Sequence, residues 1–336
     1  MEHPERQRRW MPFVVTLLIC APIAVLLAWP QLFGVQTALV VSQLVAFRMP
    51  IALLLLIGAA AFGATALLRR RWGIAAGLAV VLAVTSITSG GVALARGLGG
   101  SMPVGDLTVV AWNTLGGAAS PESIARFLLD SHADIVSLPE MDETAVAEVA
   151  RLLSLAGVKM NAHTTYGETG YSEIPTSVLV SADLGEYRID ASAGSTPDLP
   201  SAVLRPVGGE GPTIVAAHPM PPLPFSMGQW RAGLQWVADQ CTEPDTIVAG
   251  DLNATLDHLS GLGVDGGTVG ECRDAGLEAG AAGVGTWPIS APTWLGAPID
   301  HVLVGSAWKV RGFEVITSVD DAGSDHRPVV AVLDAR

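Results

Sequence analysis

The run Thr246-Ile247-Val248-Ala249-Gly250-Asp251-Leu252-Asn253 leads three apolar residues into a glycine, then sets a carboxylate and an amide two residues apart. Ile247, Val248 and Ala249, with Pro244 before them and polar residues after, read as a short buried strand. Side chains two apart on a strand point to the same side. Asp251 and Asn253 are therefore expected to project together from the rim of a sheet, with Gly250 letting the backbone turn or a ligand come close. A carboxylate accepts a proton or holds a cation, and an amide donates hydrogen bonds to an oxyanion. The competing reading is a strand that ends in an Asx turn. Other strand ends decide between the two.

Working outward, the same arrangement recurs. A β-rich run over residues 107–112 ends at Asn113, a short apolar run over 135–138 ends at Pro139-Glu140, and residues 213–217 end at His218-Pro219. Asp300 opens the apolar run 301–304, and Ser324-Asp325-His326-Arg327-Pro328 opens the run 329–333. Further strands are expected over 177–180 and 202–204. Helices are expected over 121–131, capped by Ser120 with Pro121 in its first turn, over 143–156 and over 227–241. This alternation spells a layered α/β domain. Titratable residues gathered at one rim of a sheet are where such folds place their chemistry.

The order Trp-Asn, Pro-Glu, His-Pro, Gly-Asp-Leu-Asn, Ile-Asp-His-Val and Ser-Asp-His-Arg-Pro resembles the endonuclease/exonuclease/phosphatase superfamily, the deoxyribonuclease-I-like fold. The resemblance covers about residues 104–336. It implies a four-layer α/β/β/α sandwich that cleaves phosphodiesters or phosphomonoesters with a divalent cation, Mg²⁺ or Mn²⁺. By the same resemblance Glu140 is the main metal ligand, with Asn113 and Asp325 close to the ion. His326 is base or phosphate-polarising group, oriented by Asp300; Asp251 orients or deprotonates the attacking water; Asn253 binds a phosphate oxygen; His218 contacts the phosphate or protonates the leaving oxygen. His301 is expected to be structural. In some relatives a carboxylate stands two residues after the first asparagine, and Leu115 occupies that position here, which favours a single ion. Glu173, Arg205 and Trp287 are further cleft candidates that nothing local ranks above packing or surface roles.

The chain of 336 residues is half apolar, and its charge is unevenly distributed. Residues 1–103 hold eight arginines against Glu2 and Glu5, whereas residues 104–336 hold 11 basic and 30 acidic residues. That acidic surplus argues against broad nucleic-acid binding, which needs Lys and Arg for phosphate contacts. A nuclease whose cleft a metal makes locally positive stays open. Charge-free runs at about 11–29, 49–68 and 72–95 are long enough to cross a hydrocarbon core. The apolar run 34–47 is too short and reads as interfacial or re-entrant. A cleaved signal peptide competes for the first run, but Ala28-Trp29-Pro30-Gln31 is a poor cleavage site. The organisation expected is a membrane anchor over residues 1–96, a Gly/Ser/Pro linker over 97–105 and the enzymatic domain over 106–336. The three-span anchor resembles that of bacterial membrane-bound members of the superfamily.

With three spans, the N-terminal arginines and Arg69, Arg70 and Arg71 fall on one side, which the positive-inside rule makes cytoplasmic. The domain then lies outside. In that compartment Cys241 and Cys272 are a plausible disulfide; the alternative is two unpaired thiols. The expected function is a multi-pass, membrane-anchored phosphoesterase acting on extracellular nucleic acid, a phospholipid head group or a small phosphate ester. Its other partner is the lipid bilayer, and no protein partner is inferable. The alternatives are a non-catalytic tethered module on the same fold, which predicts lost catalytic residues, and a transport or structural membrane protein, for which the spans lack an internal acid or Lys.

Overall fold

Apolar helices without a polar face and apolar strands buried on both faces divide this chain. The computed structural model describes residues 4–70, 72–167 and 174–336. Arg71 and Glu173 therefore lie outside the described residues. The chain forms two units, Met1–Ala95 and Arg96–Arg336.

The first unit consists of α1 (Pro4–Ala28), α2 (Val41–Ala46), α3 (Arg48–Leu68) and α4 (Ile74–Ala95). Three stretches, Trp10–Ala28, Arg48–Leu68 and Ile74–Ala95, are long and apolar enough to cross a membrane. The chain is a multi-pass membrane protein. The run between the first two spans forms only a 3₁₀ turn and the six-residue α2, too short to cross. Where α4 meets its neighbours it carries small residues, as close helix packing in lipid requires. A Cβ on Gly77 would come within 2.8 Å of Thr16, and Ser86 Oγ donates to the Ala52 carbonyl at 2.7 Å.

The second unit contains β1 (Leu107–Ala111), β2 (Ile135–Pro139), β3 (Met160–Thr165), β4 (Thr176–Ser181), β5 (Tyr187–Ile189), β6 (Ala202–Pro206), β7 (Ile214–Ala217), β8 (Ile247–Asp251), β9 (Arg273–Asp274), β10 (Asp300–Val304), β11 (Trp308–Val315) and β12 (Val329–Ala335). One sheet runs β11-β12-β1-β2-β4-β3 and the other β5-β6-β7-β8-β10-β9. Val109, Ala111, Ile135 and Val180 of the first sheet meet Leu204, Ile214, Ile247, Ala249 and Val302 of the second in a shared core. The alternate residues face outward. Val110, Val136 and Leu179 pack on α5 (Pro121–Ser131) and α6 (Glu143–Leu155) through Ile124, Phe127, Val146 and Val149. Val203, Val215 and Val248 pack on α7 (Met227–Gln240) through Trp230, Leu234 and Val237. This is the α/β/β/α sandwich. Because both faces of each central strand are covered, those strands read as continuous apolar runs.

The central pairs β1–β2 and β7–β8 are parallel. Their C-terminal ends therefore lie along one edge, and β10, antiparallel to β8, starts there with Asp300 opposite Asp251. The helix starts follow their caps: Ser120 and Asp142 each accept from a backbone N–H three residues on.

Three expectations need correction. The strands β3, β5, β9 and β11 escape the sequence pattern because they are short or lie at the sheet edges; β11 is half-exposed, with a bulge at Arg311. Residues 97–105, expected as a Gly/Ser/Pro linker, hydrogen-bond to the α/β unit. Gly283 N–H donates to the Gly97 carbonyl at 2.9 Å and Ser101 N–H to the Phe313 carbonyl at 3.1 Å. The segment is docked on the α/β domain, and the boundary falls at Arg96. The strand carrying the Gly-Asp pair does not stop at Ala249 but continues through Asp251.

Cys241 and Cys272 are joined as a disulfide, with Cα atoms 5.4 Å apart, between the end of α7 and the segment leading to β9. The bond closes a loop of 31 residues, and both cysteines are buried beside Val269 and Leu259. Replacing both with serine is expected to cost about 2–4 kcal/mol of stability. A calorimetric melt with and without reductant checks this: reductant lowers the wild-type transition and leaves the double variant unchanged.

Candidate active site

The residues singled out at strand ends converge on one edge of the sandwich. Asn113 follows β1, Glu140 follows β2, His218 follows β7, Asp251 ends β8, Asp300 starts β10, and Asp325-His326 precede β12. They form one network. Asn113 Nδ2 donates to Glu140 Oε1 at 3.0 Å and to Asp251 Oδ2 at 3.1 Å. His218 Nε2 lies 3.7 Å from Glu140 Oε1. His326 Nδ1 is 2.9 Å from Asp300 Oδ2, and its Nε2 is 3.7 Å from Asp251 Oδ2 and 3.9 Å from Asp325 Oδ1.

The Asp251–Asn253 geometry differs from the pleat argument. Asn253 has φ +49°, so it leaves the strand direction. Its N–H donates to Asp251 Oδ1 at 2.7 Å, the Asx turn of the competing reading, and its Nδ2 donates to the Pro219 carbonyl at 3.0 Å. Turn and site are the same structure here: the turn locks one oxygen of Asp251 and leaves the other facing His326 and Asn113. Glu140, at φ +65°, also holds a conformation that non-glycine residues rarely adopt, and such strain concentrates where a side chain must be aimed. Asn113 turns its amide nitrogen to the two carboxylates, while its oxygen accepts from Leu115 N–H at 3.0 Å. In this arrangement it links the two acids, Glu140 and Asp251.

Gly250 sits where β7 comes closest to β8. A Cβ there would sit 1.9 Å from the Ala217 carbonyl oxygen on β7. The glycine lets β7 and β8 approach just before His218 and Asp251. Gly250→Ala must push these strands apart and is expected to destabilise the domain by about 3 kcal/mol. Its melting temperature and its turnover should fall together.

Several supporting residues were not legible as such. Trp287 Nε1 donates to Asp325 Oδ2 at 2.8 Å, which brings this cleft candidate into the site. Ser324 Oγ donates to the Asn113 carbonyl at 2.6 Å and accepts from His326 N–H at 3.0 Å, and Trp112 Nε1 donates to the His326 carbonyl at 3.0 Å. Ser201 Oγ accepts from His218 N–H at 2.8 Å. Trp112 and Ser324 belong to the Trp-Asn and Ser-Asp-His-Arg-Pro motifs, though no role was expected of either; Ser201 had no signal. Arg205 does not line the cleft, since it pairs with Asp190 and Glu243 at 3.0 and 2.9 Å beside Thr213, at the far end of β7.

Electrostatics separates the roles. Burial pushes Asp251 up to about 7, against the opposing pull of His326. Burial alone would depress His326, but the charges of Asp300 and Asp251 and the hydrogen bond to Asp300 outweigh it and hold the ring up at about 10. Burial drives His218 down to about 3, helped by the charge of His326, so it stays neutral.

His301 is a structural group. Its Nδ1 lies 2.7 Å from Asp274 Oδ2 and its Nε2 2.8 Å from the Ala254 carbonyl. Two acceptors on two ring nitrogens call for the doubly protonated ring. Burial opposes that charge, but the hydrogen bond and charge of Asp274 prevail and its pKa is raised. A raised value stabilises the fold below the unfolded histidine value, near 6.5, and the contribution is lost as pH climbs through the folded value. Asp274→Asn should therefore cost about 2 kcal/mol near pH 6. The gap to wild type, read from urea melts, should narrow toward alkaline pH.

Asp251, Asp300 and His326 each offer one ligand atom within 4.8 Å of the others, a group that could hold a metal ion. Two further facts fit a hard cation nearby. Among the described residues, Asp325 Oδ1 and Asp300 Oδ1 are buried without a hydrogen-bond partner, and Glu140 is partly open to solvent, where an ion can keep several waters.

Residues 110–326 match the Endonuclease/Exonuclease/phosphatase family. No curated protein matches the chain. Among solved structures, the chain is similar to a D. rerio TDP2 humanised by 14 mutations, at 18% identity and TM-score 0.51, over 68% of this chain and 98% of that one. It is also similar to an endonuclease/exonuclease/phosphatase from Beutenbergia cavernae DSM 12333, at 19% identity and TM-score 0.51, over 69% and 72% of the two chains. At these identities the likeness concerns the fold.

Proposed function

The chain belongs to the endonuclease/exonuclease/phosphatase family, and from that premise we propose that it hydrolyses a phosphate ester at the outer face of a membrane, using one divalent cation. A metal-dependent hydrolase of this type accords with the fold and with the acid–histidine cluster. The observation that carries the reading is the buried His326–Asp300 pair facing Asp251 across 3.7 Å. A buried acid–imidazole pair set against a second acid is costly unless its charges are used.

The roles follow from the protonation preferences. Asp251, held near neutrality and facing the cleft, takes the proton of the attacking water. His326, kept protonated by Asp300, donates to a phosphate oxygen as charge builds there. His218, kept neutral by burial, turns Nε2 toward Glu140 and hands a hydrogen bond to the departing oxygen. The second N–H of the Asn253 amide binds another phosphate oxygen. Glu140 and Asp325, with Asn113 beside them, would hold the cation, which would neutralise phosphate charge and polarise the ester. Their carboxylate oxygens suit Mg²⁺ or Mn²⁺.

The disulfide supports placing the domain outside the cytoplasm, because such bonds persist in oxidising compartments. The test is hydrolysis by the full chain in detergent of DNA, RNA, sphingomyelin, phosphoinositides and simple phosphate esters, with Mg²⁺ and with EDTA. Absence of EDTA-sensitive hydrolysis on every substrate rejects the proposal. On intact cells, an impermeant thiol reagent applied after reduction should reach Cys241 or Cys272; labelling only after lysis reverses the topology.

A further inference from the structure

Three of the segments that adjoin the site carry no charge, whereas the segment before β12 carries Asp320, Asp321, Asp325 and Arg327. Residues 114–121 follow Asn113, residues 219–228 follow His218, and residues 279–299 precede Asp300; none contains Asp, Glu, Lys or Arg. They sit in a stretch, residues 104–336, that holds 11 basic and 30 acidic residues. Each loop is tied to the site. Leu115 N–H donates to Asn113 Oδ1 at 3.0 Å, the Pro219 carbonyl accepts from Asn253 Nδ2 at 3.0 Å, and Ile289 N–H donates to the Asp325 carbonyl at 3.0 Å.

These loops expose large apolar side chains: Leu115 at 43%, Leu223 at 41%, Phe225 at 67% and Trp294 at 43%. Apolar residues exposed singly are ordinary. Four of them on three charge-free segments, each tied to a site residue, offer apolar surface to a ligand. The loops are also fixed in shape. Leu223 N–H and Ser226 Oγ both donate to the Pro221 carbonyl, and Arg327 Nη2 donates to the carbonyls of Ile289 and Ala291 at 2.9 and 3.0 Å. Phe225 and Trp294 are thus held outward by built loops.

Nucleic acid needs cations along its path, and these loops supply none. We propose that the substrate is a phosphate ester of a membrane amphiphile, whose hydrocarbon part lies against Leu115, Leu223, Phe225 and Trp294 while the phosphate enters the acid–histidine cluster. This rests on the phosphoesterase reading above and narrows it. The same chain carries three membrane-length helices, so bilayer lipid is the amphiphile at the highest local concentration. Hydrolysis adds water across the P–O bond: the hydroxyl joins phosphorus, and the proton goes to the departing alcohol oxygen.

The test uses the full chain in mixed micelles. Its probes are sphingomyelin, phosphatidylglycerol and phosphatidic acid, the water-soluble bis(4-nitrophenyl) phosphate and 4-nitrophenyl phosphate, and a single-stranded DNA oligonucleotide. At least one lipid should be cleaved with kcat/KM above that of the oligonucleotide. Phe225→Ser combined with Trp294→Ser should lower the lipid-to-soluble ratio of kcat/KM by about tenfold, mainly through KM. Leu155→Ser, exposed at the far end of α6, is the control and should leave the ratio unchanged. Preference for the oligonucleotide, or an equal fall on lipid and soluble esters, overturns the inference. Hydrolysis of soluble esters without any lipid overturns it too, yet leaves the phosphoesterase reading standing. No hydrolysis of any probe removes that reading and this one with it.

Discussion

Asp300→Asn is expected to lower turnover on the order of 10³-fold while leaving the protein folded. The carboxylate of Asp300 is buried, 2.9 Å from His326 Nδ1, and its charge is a main reason the ring stays protonated. An amide fills the same space but can present a donor where the ring also donates, and it carries no charge. The imidazole then loses both its orientation and its positive character. The pH profile separates this from a packing defect. In wild type, activity should rise as Asp251, pushed up by burial to about 7, ionises, and fall as His326, held up at about 10, deprotonates. Removing the charge of Asp300 lowers the histidine value, so the alkaline limb in Asp300→Asn should move to lower pH. An unmoved limb with reduced kcat would make Asp300 merely structural.

Glu140→Gln is expected to cost a similar factor, with a different signature. Glu140 follows β2, partly exposed, and is held by Asn113 Nδ2. A neutral amide oxygen binds a hard cation far more weakly than a carboxylate. The Mn²⁺ concentration for half-maximal activity, and direct Mn²⁺ binding by electron paramagnetic resonance, should both shift upward by at least about tenfold. The same titration decides where the ion sits. If it lies among Asp251, Asp300 and His326, then Asp300→Asn loses affinity and Glu140→Gln keeps it. The ring of His326 is already committed to Asp300 and carries a proton on each nitrogen when charged. A protonated imidazole cannot ligate a metal. We propose the ion on the Glu140–Asp325 side, and the pair of variants decides between that side and the Asp251–Asp300–His326 group.

Much of this molecule is decided by local chemistry. The three spans follow from charge-free runs, since no polar face is left for water. The helices at Pro121 and Glu143 begin where Ser120 and Asp142 can cap them. The central strands β1, β2, β7, β8 and β10 are legible because burial on both faces makes them uniformly apolar, and the acids and histidines mark where those runs end. Edge strands such as β3 and β11 lack that signal, because half of each faces solvent.

What only the tertiary structure decided concerns separation in sequence. That Cys241 and Cys272 lie within bonding distance depends on how the end of α7 meets the segment before β9. That Gly250 exists for the Ala217 carbonyl depends on the β7–β8 pairing. Trp287 reaches Asp325, and Ser201 holds the His218 backbone, across gaps of 38 and 17 residues. The sequence by itself names the acids and histidines and the fold that carries them, because strand ends, caps and charge-free runs are local. Which nitrogen faces which oxygen, and hence which group stays charged, belongs to the packed sheets, because burial and pairing arise only when distant segments meet.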